Sequence, residues 1–81
     1  MIVKVNLFAA AKEMLGASDL ELALDDSATL GDLKDALVEY HPAVKELVAN
    51  SSFAVDKEYA NDERSLYNGV EVGLIPPVSG G

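Results

Sequence analysis

Three stretches of the chain place apolar residues at every second position. Residues 2–8 carry valine and leucine between lysine and asparagine, residues 19–24 alternate leucine with mostly acidic residues, and residues 70–75 place two valines and a leucine in alternate positions. A period of two is typical of β-strands with one buried face. The pattern therefore predicts three strands, of which the first and last are the most continuously apolar.

Two helices are predicted between these strands. Residues 9–15 are rich in alanine and are followed by Gly16, a residue that commonly ends a helix. A longer helix is predicted after Thr29, a good N-cap residue, because leucines then recur at spacings of three and four until Pro42 limits it. Residues 44–48 predict one further short helical turn.

The remaining signals complete a β-α-β-α-β-β-β order. Residues 52–55 form a short predicted strand, and a tight turn leads back into residues 59–60. The longest helix can lie across one face of a mixed sheet of about five strands, which gives a two-layer α+β domain. A β-grasp arrangement with the first and last strands as central neighbours satisfies the pattern. We expect residues 1–75 to form this domain and residues 76–81 an extended tail.

Composition narrows the classes of function. The 81 residues suffice for one domain, and the absence of cysteine excludes disulfides, thiolate metal sites and a cysteine nucleophile. The net charge of −8 disfavours binding to nucleic acid and favours approach to a basic protein surface. No apolar run approaches membrane-spanning length and no signal-peptide pattern is present, so we expect a cytoplasmic protein that does not bind membranes.

Side chains that could perform catalysis are few. His41 is the only histidine, and it lies at a predicted helix end without a nucleophilic partner. The acidic pairs at 25–26 and 62–63 lie in turns without the ligand spacing of a calcium loop, so we expect no metal site. Ser27 follows an aspartate at a helix start, as in acyl carrier proteins, but Ala28 replaces their leucine and the predicted strands contradict a helical bundle. We therefore expect the catalytic groups to belong to a partner.

The last six residues form a slender, rigid extension. Pro76 and Pro77 favour an extended polyproline conformation, and Val78 is the only bulky side chain beyond them. Ser79, Gly80 and Gly81 then span at most about 10 Å and end in a free carboxylate. Glycines at the end can enter a channel too narrow for other residues. A bare carboxylate can be activated by ATP as an acyl-adenylate, so Gly81 is the candidate reactive residue.

The octapeptide Leu-Ile-Pro-Pro-Val-Ser-Gly-Gly at 74–81 resembles the C-terminal signature of the molybdopterin synthase small subunit, a MoaD-type ubiquitin-like sulfur carrier. Three further segments resemble this family: Leu7-Phe8-Ala9, Phe53-Ala54-Val55 and Asn68-Gly69. The resemblance covers essentially the whole chain. The departures are Lys12 for arginine, Asp56 for asparagine, Val70 for aspartate and Gly73 for alanine.

The resemblance implies a sulfur-transfer cycle. An E1-like (MoeB-type) enzyme would adenylate the Gly81 carboxylate with ATP, and a sulfurtransferase would supply the sulfur that converts it to a thiocarboxylate. The tail would then enter the large (MoaE-type) subunit, where the sulfur attacks cyclic pyranopterin monophosphate. The carrier itself would bind no cofactor. Phe8, Leu74 and Ile75 would contribute to the large-subunit interface, although a place in the core is the alternative for each.

Two other functions use the same fold and tail. A protein modifier would join Gly81 to substrate lysines through an isopeptide bond. A sulfur carrier could also serve thiamine, tungsten cofactor or tRNA thiolation. The Pro-Pro-Val-Ser-Gly-Gly tail favours molybdopterin synthesis.

Overall fold

The computed structural model describes residues 1–77 and contains a five-stranded sheet with its helices on one face. The elements in chain order are β1 (Ile2–Leu7), α1 (Ala9–Leu15), β2 (Asp19–Ala23), α2 (Leu30–Tyr40), a 3-10 turn (Pro42–Val44), α3 (Lys45–Asn50), β3 (Ser52–Val55), β4 (Glu58–Tyr59) and β5 (Glu71–Ile75). The order matches the one predicted, with the short helical turn resolved into the 3-10 turn and α3.

The two terminal strands pair at the centre of the sheet. The strand order is β2-β1-β5-β3-β4, in which β1 and β5 are parallel and the other neighbours are antiparallel. Val5 lies opposite Val72, and Leu7 lies opposite Leu74. The predicted β-grasp architecture, with the first and last strands as central neighbours, is confirmed.

One face of the sheet forms the core with the helices. Alternate residues of β1, β3 and β5 point to this inner face, and three leucines of α2 are completely buried against the same cluster. The largest side chains with less than 2% exposure are Leu30, Leu33, Leu37, Leu74, Val3, Val5, Val44, Val55, Val70 and Val72. Within residues 1–77 no polar or charged residue is buried. The core is therefore held by apolar packing.

Local signals place the ends of the helices where the sequence predicts them. The Thr29 N–H donates to the Asp32 carboxylate at 2.9 Å, which is half of a capping box at the start of α2. The next two N–H groups, of Leu30 and Gly31, donate to carbonyls of the loop at 62–64. Gly16 ends α1 in the left-handed conformation with φ +69°, as predicted for a glycine cap.

The sheet ends at Ile75, after which Pro76 and Pro77 are outside regular secondary structure. The predicted division of the chain into 1–75 and 76–81 stays a prediction, because residues 78–81 lie outside the described residues. None of the helices within residues 1–77 is long and apolar enough to span a membrane.

Leu74 and Ile75 give a test of this packing, since adjacent strand residues point to opposite faces. We expect Leu74→Ala to lower the free energy of unfolding by about 2–5 kcal/mol, because it leaves a cavity in the core. Ile75→Ala, on the half-buried outer face, should cost clearly less. Urea unfolding followed by circular dichroism measures both. Equal losses would contradict the assignment of the two faces.

Candidate functional site

The outer face of the sheet, opposite the helices, carries small residues at its centre. Gly73 of β5 lies between Asn6 of β1 and Ala54 of β3, and Ala54 is paired with Tyr59 of β4. Glycine has no side chain and alanine only a methyl group, so the middle of this face is lower than its surroundings. The result is a groove of about 440 Å³, called the sheet groove below.

Three larger apolar side chains form the walls of the sheet groove. Phe8 is 51% exposed and Tyr59 is 75% exposed, and the half-buried Ile75 lies at the end of β5. The edge of the Phe8 ring lies close to Gly73, since a Cβ built on Gly73 would be 3.6 Å from Phe8 Cε2. Exposed aromatic and aliphatic side chains gathered around a depression mark a surface suited to another protein.

Charged residues line the rim of the groove, and most of them are paired. The Glu71 carboxylate accepts a hydrogen bond from Asn6 Nδ2 at 3.3 Å and lies 4.0 Å from Lys4 Nζ. Asp56 lies 3.8 Å from an Arg64 guanidinium nitrogen. Lys57 is the third charged residue of the lining. Pairing reduces the cost of covering these groups with a partner.

The hairpin turn at Asp56 and Lys57 is hydrogen-bonded to Tyr67, a residue of the loop before β5. Both residues have positive φ, at +51° and +67°, which is the conformation of a two-residue hairpin turn between β3 and β4. The Tyr67 hydroxyl donates to Asp56 Oδ1 at 2.6 Å. This hydrogen bond, with smaller contributions from desolvation and the charge of Asp56, raises the pKa of Tyr67. Tyr67 thus joins the turn at Asp56, on one side of the groove, to the loop before β5.

The groove runs directly towards the tail. Pro76 is half-buried and Pro77 is exposed, and both follow Ile75 without an intervening turn. The strand rise places Pro76 about 10 Å from Gly73. The other predicted tail residues, Val78, Ser79, Gly80 and Gly81, lie outside the described residues. A protein that holds the tail is therefore within reach of the groove.

The structure separates the three predicted interface residues. Phe8 and Ile75 line the sheet groove, but Leu74 is completely buried in the core. Alternation along β5 explains the difference, because Leu74 points to the same face as Val72. The expectation that Leu74 contacts a partner is corrected: its side chain offers no surface to a partner while the domain is folded.

The other residues considered for chemistry, His41, Asp62 and Ser27, make contacts that stabilise the local fold. His41 caps the C-terminus of α2 through its backbone. Asp62 was expected to be a solvated turn residue, and the structure shows that it also forms an ion pair with Lys34 at 2.5 Å. The Ser27 side chain and N–H both donate to Asp25, which lowers the pKa of Asp25. No group of three metal-ligating side chains is found among residues 1–77.

The sequence analysis did not identify Gly73 and Ala54, which form the floor of the groove. The outer-face position of Gly73 could have been read from the alternation of Glu71, Gly73 and Ile75. That Ala54 and Tyr59 lie beside it required the order of the strands. The Tyr67 contact with Asp56 joins two loops and has no signal in the local pattern.

Comparison with known proteins shows similarity along nearly the whole chain. Residues 5–81 match the model of the ThiS family. The chain is 36% identical to the molybdopterin synthase sulfur carrier subunit of Chlamydomonas reinhardtii over 83 residues, which cover all of both chains. It is 37% identical to small archaeal modifier protein 1 of Haloferax volcanii, over 94% of this chain and 97% of that protein.

Solved structures share the fold. The crystal structure of SAMP1 from Haloferax volcanii superimposes with a TM-score of 0.91 at 32% identity and covers all of both chains. A complex of subunits 1 and 2 of the molybdopterin-converting factor of Helicobacter pylori contains a chain with a TM-score of 0.72 at 24% identity, again over all of both chains. At that identity the second likeness concerns the fold alone.

The Tyr67 hydrogen bond gives a test of the groove rim. We expect Asp56→Asn to lower the pKa of Tyr67 towards its ordinary value, because the charged acceptor is lost. Absorbance titration of the phenols at alkaline pH, with Tyr67→Phe identifying the Tyr67 step, measures the shift. A raised folded-state pKa means that the stabilisation is complete below pH 10 and is lost as pH rises through the higher value. An unchanged titration in Asp56→Asn would contradict the contact.

Proposed function

We infer the function of this chain from its family, because the chain belongs to the ThiS family. We propose that it is a sulfur carrier for molybdenum cofactor biosynthesis, the small subunit of a molybdopterin synthase. Its reactive group is the C-terminal carboxylate of Gly81. The observation that carries this proposal is the match over its whole length to a molybdopterin synthase sulfur carrier subunit.

The chemistry requires nothing from the chain except its carboxylate. An E1-like enzyme uses ATP to form the acyl-adenylate of Gly81 and releases pyrophosphate. A sulfur donor then displaces AMP and leaves a thiocarboxylate. This group is ionised at neutral pH and keeps a nucleophilic sulfur, as a thiolate does. A chain without cysteine can therefore carry sulfur. ATP is consumed by the activating partner, which fits a cytoplasmic location.

Transfer occurs in the large subunit of the synthase. The thiocarboxylate of Gly81 attacks cyclic pyranopterin monophosphate there, and the large subunit supplies cationic and acid–base groups. Support for this partner comes from the relatives of Chlamydomonas reinhardtii and Arabidopsis thaliana, which are named as sulfur carrier subunits of a molybdopterin synthase and so belong to an enzyme with a further subunit. Phe8 and Ile75 of the sheet groove, close to the root of the tail, form the docking surface.

A protein modifier is the second candidate, and the 37% identity with an archaeal modifier protein supports it. Both functions begin with the same adenylate. They differ in the nucleophile that reacts with it: a sulfur donor gives a thiocarboxylate, whereas a substrate lysine gives an isopeptide bond. Sulfur carriers for thiamine, tungsten cofactor or tRNA thiolation differ only in the final acceptor.

Intact mass spectrometry separates carrier from modifier. After incubation with an E1-like partner, ATP and a sulfurtransferase with its sulfur source, we expect a gain of about 16 Da, since sulfur replaces one oxygen. Conjugates of higher mass with lysines of other proteins, without the 16 Da species, would instead identify a modifier. A gain of about 340 Da on Ser27 would identify an acyl carrier.

Deletion of Gly81 tests the reactive group. We expect the truncated chain, and a chain with one residue appended after Gly81, to yield no molybdopterin in an assay reconstituted with the large subunit. The terminal carboxylate would lie one residue short of its position in the first and one residue beyond it in the second. Both should unfold at the same urea concentration as the unaltered protein. Glu39→Gln, on the exposed face of α2, is the control and should transfer sulfur normally. Molybdopterin formation by the truncated chain would refute the role of Gly81.

A further inference from the structure

We infer that Gly73 determines which partner side chain this carrier accepts: with Ala54 it forms a floor in the sheet groove that seats an aliphatic side chain, such as leucine or methionine, of the large subunit. The inference rests on the proposed function, since it concerns the partner that receives the tail. It assigns a role in specificity to a residue that carries no side chain.

The fold gives no reason for a glycine at position 73. Its backbone does not have the positive φ that favours glycine, in contrast to Gly16 and Gly69. A Cβ at this position would make only an ordinary contact with Phe8 Cε2 at 3.6 Å. An alanine therefore fits, and it would suit a strand better than glycine does. What the glycine provides is additional room in the groove, beside the Phe8 ring.

The space is shaped for an apolar side chain of a protein. The register places Gly73 and Ala54 next to each other, with Phe8, Tyr59 and Ile75 around them. The polar residues of the lining are Asn6, Asp56, Lys57 and Glu71. Asn6 and Glu71 are hydrogen-bonded to each other and Asp56 is paired with Arg64, so these three groups already have partners within the chain. The occupant is therefore an aliphatic side chain, with the exposed faces of Phe8 and Tyr59 covering it.

Charge around the groove also favours an apolar contact. The charged lining residues, together with the residues joined to them by ion pairs either directly or through Arg64, are three acids and three bases: Asp56, Glu58, Glu71, Lys4, Lys57 and Arg64. The other eleven acidic residues and three basic residues of the sequence lie elsewhere. The groove is thus a balanced region on a chain of net charge −8. Burying it against an uncharged side chain leaves no net charge uncompensated.

The groove lies beside the tail, so the partner that binds the tail is the one that would cover the groove. Gly73 is three residues before Pro76, or about 10 Å along the strand. Stable protein interfaces cover roughly 800 Å² on each partner, more area than a six-residue tail ending in two glycines offers. A large subunit that binds the tail therefore extends over the adjoining sheet surface, where the groove lies.

The test is the affinity of the complete chain for the purified large subunit of molybdopterin synthase, measured by isothermal titration calorimetry. We expect Gly73→Ala to weaken binding about tenfold or more, because the added methyl group occupies the space of the partner's side chain. Its urea midpoint should be equal to or above that of the unaltered chain. Ala23→Val is the matched control: it enlarges an exposed residue of β2, at the edge of the sheet, and should change affinity less than twofold.

The outcomes separate this inference from the proposed function. Unchanged affinity of Gly73→Ala, with sulfur transfer intact, would overturn the role of Gly73 and leave the carrier function standing. Equal weakening by Ala23→Val would also overturn it, because the effect would not be specific to the groove. If the unaltered chain binds no large subunit and gains no 16 Da, the proposed function fails and the inference fails with it.

Discussion

The parallel pairing of β1 with β5 is the constraint on which the rest of the molecule depends. It joins residues almost a full chain length apart, such as Val5 and Val72. Closing a loop of that size costs conformational entropy, although the cost grows slowly with length. Burial of both strands' inner faces under the leucines of α2 offsets it. The same pairing places Asn6 beside Gly73 on the outer face and directs the chain out of the sheet at Ile75.

The two faces of the central strands therefore perform different tasks. The inner face is filled completely, with Val72 and Leu74 both at 0% exposure. On the outer face, Gly73 contributes no side chain, which a strand tolerates at a cost of roughly 0.5–1 kcal/mol relative to alanine. The fully buried apolar residues of β5 thus lie on the inner face, whereas its outer face is only partly covered within the chain.

Much of this arrangement could be predicted from the sequence because its signals are local. Alternation identified the strands, and Gly16 and Thr29 marked helix ends through their own backbone and side-chain preferences. The central position of the terminal strands followed from their apolar content. Alternation also placed Leu74 on the same face as Val72, and the structure shows that this signal outweighs the family resemblance that suggested an interface role.

The rest could not be predicted because it is assembled from distant segments. The groove needs Phe8 from the start of the chain, Ala54 and Tyr59 from the hairpin, and Gly73 from the last strand. No short stretch contains more than part of it. The Tyr67 contact with Asp56 likewise joins a loop to a turn eleven residues away. Composition gave the net charge, but only the ion pairs show that the groove is balanced.

This distribution of charge suits the proposed docking of the chain on a basic partner. The acidic surface outside the groove attracts a basic partner over a distance, which raises the rate of association. At the sheet groove, the apolar side chains Phe8, Tyr59 and Ile75 form the surface that a partner would cover under the proposed function. Long-range attraction and close contact thus depend on different parts of the chain, the acidic surface and the sheet groove.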